Sequence, residues 1–134
     1  MHMEFAQTFN KPLIIHSVNS WNEIIGYSKD KNVSFILHGY NGYIELTKQL
    51  IMHGFFFSVG KAVLKENSKI RDSIQIIPHK SLFFETDDEM LDIREIYSTA
   101  ASILKCSVGD LKRQIFDNYK LLFLNSGNQA FFQI

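Results

Sequence analysis

Three residues of this 134-residue chain stand where α/β proteins place their chemistry: His16, His38 and Asp87. Each closes or directly follows a short apolar run, LIIHS at 13–17, VSFILH at 33–38 and LFFET at 82–86. Neutral imidazole and carboxylate together suit zinc, manganese or iron, and an ion so held activates water for hydrolysis. A lone histidine at a strand end is more often a packed or loop residue than a ligand. The pattern across three runs is what points to a metal. Since the runs are far apart in sequence, only the fold can bring them together.

The elements that must do so are legible. A fourth run, FFFSV at 55–59, joins the other three, and all are almost continuously apolar rather than alternating. That is the pattern of parallel strands covered on both faces. Helical stretches separate them. Asn19 or Ser20 is placed to cap a helix from Trp21 to about Lys29. Asn41-Gly42 opens a second, which Gly54 stops. Residues 61–77 read as a short helix and a further helical turn, ended by Pro78. Asp92 to Leu104 and Ser107 to Phe123 read as two amphipathic helices, the second with a Ser107/Asp110 capping box. The chain opens with a helix, Met3–Phe9, and four strand-then-helix units follow. Such alternation predicts an α/β fold of four parallel βα units with right-handed crossovers. A complete (β/α)8 barrel takes roughly 250 residues, so the expected architecture is half of one, cut in its middle. Sites in parallel α/β folds form at the C-terminal ends of the strands. Those ends hold His16, His38, Ser58 to Gly60, and Glu85 to Asp87.

Composition narrows the function. Net charge is zero, hydrophobic residues make up 46% and charged residues 21%, as in ordinary globular domains. Neutrality excludes broad phosphate neutralisation by a basic surface. A phosphate-bearing substrate would be held locally, by a metal or a few lysines. Cys106 is the single cysteine, which excludes an internal disulfide and fits a reducing, cytoplasmic setting. No apolar run approaches a membrane span, and no leader pattern is present.

Five segments, in order, resemble one family. Lys11-Pro12-Leu13-Ile14-Ile15-His16-Ser17 is similar to the K/L-P-V-I-I-H-S/C strand of the TatD family of metal-dependent deoxyribonucleases. Ile36-Leu37-His38-Gly39-Tyr40-Asn41-Gly42 resembles its I-I-H-x-F-x-G strand and turn. Gly54 to Gly60 resembles its G-F-Y-I-S-F-S/G strand, and Leu82 to Asp87 its L-L-L-E-T-D strand. Asp117 to Phe123 resembles its closing N-x-x-R/K-L-F helix. The resemblance implies a hydrolase of DNA phosphodiesters using two divalent ions (Mg, Mn or Zn) on a (β/α)8 barrel. It implies that His16 and His38 ligate one metal. Asp87 would ligate the other and act catalytically on its water. Glu85 is expected to point to the opposite side of the strand and to be structural.

The chain departs from the family pattern in two respects. Val18 stands where an arginine is usual, and the family's H-x-H strand and metal-bridging glutamate are not in these residues. The chain is therefore expected to be the C-terminal half of such a protein, truncated, with residues 1–123 as a half-barrel and 124–134 as a tail. Two sheet edges and an exposed inner face predict association with the missing N-terminal half or with a second copy, as a homo-oligomer. The alternative is a catalytically inactive half-barrel serving as an interaction subunit. Tyr40 and Trp21 are candidates to stack on a base, with packing the default. Lys61 and Lys65 are candidates to meet phosphate, with a solvated helix face the default. His53 and His79 read as structural, and Asp88 and Glu89 as the start of a loop.

Overall fold

The computed structural model describes residues 2–16, 19–29, 32–87 and 90–125. Helix α1 (His2–Phe9) comes first. The first unit is β1 (Leu13–Ile15) and α2 (Trp21–Ser28), the second β2 (Phe35–Leu37) and α3 (Ile44–Met52). The third is β3 (Phe56–Val59), a 3₁₀ turn at Lys61–Leu64 and the short α4 (Lys69–Ser73). The fourth is β4 (Leu82–Phe84), α5 (Ile93–Leu104) and α6 (Val108–Tyr119), prolonged by a π-helical segment Lys120–Asn125. The four strands form one parallel sheet in chain order. This is the expected half-barrel. Among the described residues, no helix is long and apolar enough to cross a membrane.

Alternation along the strands sorts the two faces of the sheet. Phe35, Leu37, Phe57, Val59 and Leu82 are buried in one core with Leu50, Ile70, Ile74, Ile96, Leu111 and Ile115 from the helices. The intervening residues Ile14, Ile36, Phe56 and Phe83 occupy the other face. There Ile14 is 58% exposed, Phe56 and Phe83 are half-buried, and Ile36 is buried outside the helix-side core. The inner face is thus only partly open, contrary to the expectation of full exposure. Phe56 and Phe83 cover one another, with ring centroids 6.3 Å apart, and Phe123 meets Phe83 edge-on at 6.2 Å.

Local chemistry sets the helix ends. The Asp92 side chain accepts from Arg94 N at 2.9 Å and starts α5, while Lys105, left-handed at φ 55°, ends it. Ser107 accepts from Asp110 N at 3.0 Å and starts α6. Only that half of the expected box forms, because the Asp110 carboxylate is engaged by Arg113. The helix predicted to reach Phe123 widens at Lys120, and Asn118 explains where it is tied. Buried at 2% exposure, its Nδ2 donates to the carbonyls of His79 and Leu82, both at 2.8 Å. Its Oδ1 accepts from Gln114 at 2.9 Å. The end of α6 is thereby locked to the N-terminal end of β4. Lys11 Nζ, ahead of β1, donates to the Phe123 carbonyl at 2.7 Å and ties the same segment to the opposite edge. Residues 126–134, most of the expected tail, lie outside the described residues, as do Ser17, Val18, Asp88 and Glu89.

Candidate metal and hydrolase site

The strands end one residue short of their histidines, so His16 and His38 leave the sheet at adjacent positions. The β1–β2 register continues past Ile15 and Leu37, and His38 N donates to the Ile15 carbonyl at 2.8 Å. The two rings are 5.4 Å apart between centroids, tilted by 44°. Gly39 follows with φ +64°, a conformation that costs other residues about 1 kcal/mol or more, and turns the chain immediately after the histidine.

His38 is the best-held group at this end. Its Nδ1 lies 2.8 Å from Glu85 Oε2, and Ser58 Oγ donates to the same carboxylate oxygen. An ionised carboxylate only accepts, so Nδ1 carries a proton, and in the neutral ring Nε2 is then the nitrogen with the lone pair. Nε2 faces Asp87 Oδ1 at 3.5 Å. The side chains of His38 and Glu85 are 24% and 14% exposed, that of Asp87 58%. Asp87 has a left-handed backbone, φ 55°. A non-glycine residue in that region is uncommon and is a known feature of functional turns.

Glu85 is thus on the same side as His38, not the opposite side. The reason lies in simple alternation: Glu85 is two residues before Asp87, and residues two apart share a face. Ser58 belongs to that face for the same reason. Glu85 holds the imidazole and Ser58 holds the Glu85 carboxylate, and the spacing of Glu85 to Asp87 is the sequence signal for it. The other expectations sort plainly. Lys61 and Lys65 line a cavity of about 340 Å³ together with His16, His38, Glu85 and Asp87. Tyr40 is 2% exposed and packs on Phe57 and Trp21, so it is core. Burial pushes its hydroxyl pKa up, against the lowering effect of its bond to Thr47. His53 caps the end of α3, and the His79 carbonyl serves Asn118.

The donor chemistry fits a divalent ion. An imidazole whose Nδ1–H is held by a carboxylate, presenting Nε2 beside a second carboxylate, is the arrangement metal-ligating histidines adopt. The donor number is short, because no group of three or more His, Cys, Asp or Glu among the described residues could hold an ion by itself. His38 and Asp87, with His16 beside them, are the candidate donors at this end of the sheet.

Comparison with known proteins accounts for this incompleteness. The model of the TatD related DNase family matches residues 1–124. The chain belongs to the TatD family. An uncharacterized metal-dependent hydrolase of Buchnera aphidicola is 31% identical over 94 residues, covering 67% of this chain and 36% of that protein. One from Methanocaldococcus jannaschii is 25% identical over 126 residues, covering 87% and 50%. The solved structure of a TatD homolog from Escherichia coli K12 superposes with a TM-score of 0.79 at 20% identity, covering 90% of this chain and 53% of that one. A TatD family hydrolase structure from Entamoeba histolytica gives 0.75 at 16%, covering 90% and 54%. The chain spans about half the length of its relatives or less, in keeping with four of the units of their barrel.

Proposed function

We propose that this chain supplies one side of a metal-dependent phosphodiesterase site that hydrolyses DNA when four further βα units complete the barrel. Residues 1–123 are its half-barrel and 124–134 a tail. The observation that carries the reading is His38, fixed by Glu85 in the tautomer that presents Nε2 toward Asp87. DNA as substrate rests on the family's description. His16 and His38 would hold one ion and Asp87 the other. A divalent ion bound there polarises a phosphodiester oxygen and lowers the pKa of its water toward neutrality. The chain's own contributions are separable. Glu85 and Ser58 keep the imidazole from rotating. Asp87, more exposed than His38 and Glu85, would direct the proton of the attacking water at its carboxylate. Lys61 and Lys65 add positive charge to the cavity wall, which a protein of zero net charge must supply locally.

The completing half comes from a separate N-terminal half-barrel or from a second copy of the chain, in the cytoplasm. β1 and β4 each have one strand neighbour in the sheet, and the partly open face between them is apolar. The test mixes the purified chain with the N-terminal four-unit half of a TatD relative and follows Mg- or Mn-dependent DNA hydrolysis. Activity in the mixture, lost in His38→Ala and in Asp87→Asn, is expected. Hydrolysis indifferent to His38→Ala, or none in any mixture, would overturn the reading. Light scattering of the chain alone should show a dimer or larger species, and a stable monomer at high dilution counts against self-association.

A further inference from the structure

Beside the histidines, on the β1–β2 side, lies a second cavity of about 510 Å³ that extends from them to Trp21, Tyr43 and Lys69. His16, His38, Trp21, Tyr43 and Lys69 are among the residues that line it. Tyr43 is 62% exposed, and Lys69 Nζ stands 4.2 Å from the centre of its ring. An exposed aromatic ring on a loose loop would mean little. This one stands on a loop tied at three consecutive residues.

Asn41 Oδ1 accepts from Ile70 N at 2.9 Å, and the Gly42 carbonyl accepts from the buried Ser73 hydroxyl. The Tyr43 carbonyl accepts from both Thr47 N at 2.9 Å and Thr47 Oγ1 at 2.7 Å. Thr47 thus spends its only hydroxyl proton on Tyr43, so the Tyr40 hydroxyl must be the donor in the 2.7 Å Tyr40–Thr47 bond. Gly42 passes so close to that hydroxyl that a Cβ there would overlap it. The bond from Ile70 also fixes the backbone next to Lys69. The ring and the ammonium are therefore presented together by one anchored unit that borders the candidate metal site.

Aromatic faces bearing a cation at the edge of a phosphodiesterase site suit one kind of ligand. We infer that this groove is a nucleotide subsite. It takes the nucleotide flanking the scissile phosphodiester of a single strand, with the base against Tyr43 and Trp21 and the outer phosphate at Lys69. Base stacking on aromatic side chains tolerates any sequence, and a single strand can reach such a ring where a duplex cannot. Charge agrees with this direction. Glu45 and Asp72 line the hollow on the far side of Tyr43 and Lys69, which repels a phosphate there and leaves the histidine side open.

The inference rests on the phosphodiesterase reading, but its test does not need catalysis. Trp21 is the chain's only tryptophan and lines the groove, so its fluorescence reports occupancy. Titration of the full chain with a (dT)4 oligonucleotide should quench Trp21 saturably. Tyr43→Leu should weaken binding about tenfold, the effect of one stacked base. Lys69→Gln should reduce the salt slope by about 0.7, the share of one phosphate on a single strand. Circular dichroism checks that both variants remain folded, as their exposed positions predict. An abasic tetramer should bind no better to the unaltered chain than (dT)4 binds to Tyr43→Leu. No saturable quenching, or equal affinity of the two variants and the unaltered chain, overturns the subsite. In the completed barrel, His38-dependent hydrolysis with an unchanged KM in Tyr43→Leu sinks the subsite and spares the hydrolase reading. Binding at Tyr43 without any His38-dependent hydrolysis does the reverse.

Discussion

The two ends of the sheet are built to different ends. At the C-terminal end, polar groups are gathered at some cost: a left-handed aspartate and a histidine held by a carboxylate that itself accepts from a serine. Such clustering is expensive unless each group is partnered, and its rationale is chemistry. At the N-terminal end, polar groups are spent on closure. Asn118 satisfies two carbonyls at the entry to β4, and Lys11 reaches the Phe123 carbonyl from the other edge. In barrels of this type one end carries reactions and the other stability. Half a barrel keeps that division. Among the described residues the donor set at the first end stays below three, whereas the contacts at the second end join residues of this chain.

That contrast is most sharply tested at Asn118. Removing the amide in Asn118→Ala leaves the buried Leu82 carbonyl, the part-buried His79 carbonyl and Gln114 without their partner, so we expect a loss of about 2–3 kcal/mol. The check is the urea midpoint, with metal affinity unchanged per folded molecule. If Asn118→Ala instead altered metal binding more than stability, the division between ends would fail. Glu85→Gln is the mirror case. It should lower divalent-metal affinity of the completed barrel about 10- to 100-fold, the usual cost of removing a carboxylate behind a ligating histidine. The midpoint should move little, because an amide can still fill the space. Calorimetric titration with manganese decides it.

Between these lies the loop that joins the site to the core. Tyr40→Phe removes the hydroxyl that donates to Thr47 and should cost about 1 kcal/mol. The burial-raised pKa of Tyr40 gives a further sign. A phenol harder to ionise when folded stabilises fully below its unfolded pKa. That contribution falls as pH rises past the unfolded value and through the folded one. Stability of the unaltered chain should therefore drop more steeply above about pH 10 than that of Tyr40→Phe, measured by urea melts across that range.

How much of this was legible depends on range. The four strands are readable because each is an almost continuous apolar run, three of them starting directly after Pro12, Asn32 and Gly54, and α5 and α6 because Asp92 and Ser107 sit just ahead of amphipathic periods. His16, His38 and Asp87 were found as strand-end polar residues, and the structure brings them to one end. Glu85 departs from the expectation for a local reason: it is two residues from Phe83 and so shares that residue's face of the sheet. Ser58 required knowing that β3 lies between β2 and β4, which no local pattern supplies. The covering of the inner face is of that kind too. It depends on Phe123 meeting Phe83 and Lys11, 40 and 112 residues away by number. The stretch 61–77 broke into a 3₁₀ turn and five helical residues for a similar reason: Ile70 N and Ser73 are drawn to the Asn41-Gly42 loop rather than to a longer helix.

The smallest expected effect comes from the helix N-termini, which belong to neither end of the contrast. Asp92 is lowered in pKa first by its side-chain bond from Arg94, then by Arg94 N. Asp110 is lowered first by its bond with Ser107, then by Arg113. A carboxyl that is easier to ionise when folded adds stability above its unfolded pKa, and this is lost as pH falls through the folded one. Both groups are fully exposed, so solvent screens most of the benefit. Asp110→Asn should nonetheless flatten the acid limb of the stability profile below about pH 4 while leaving the neutral midpoint nearly unchanged. Added salt should shrink the difference further, because exposed ion pairs are screened within about 10 Å at 0.1 M. An acid limb identical in Asp110→Asn and the unaltered chain would show that the Arg113 pair contributes nothing.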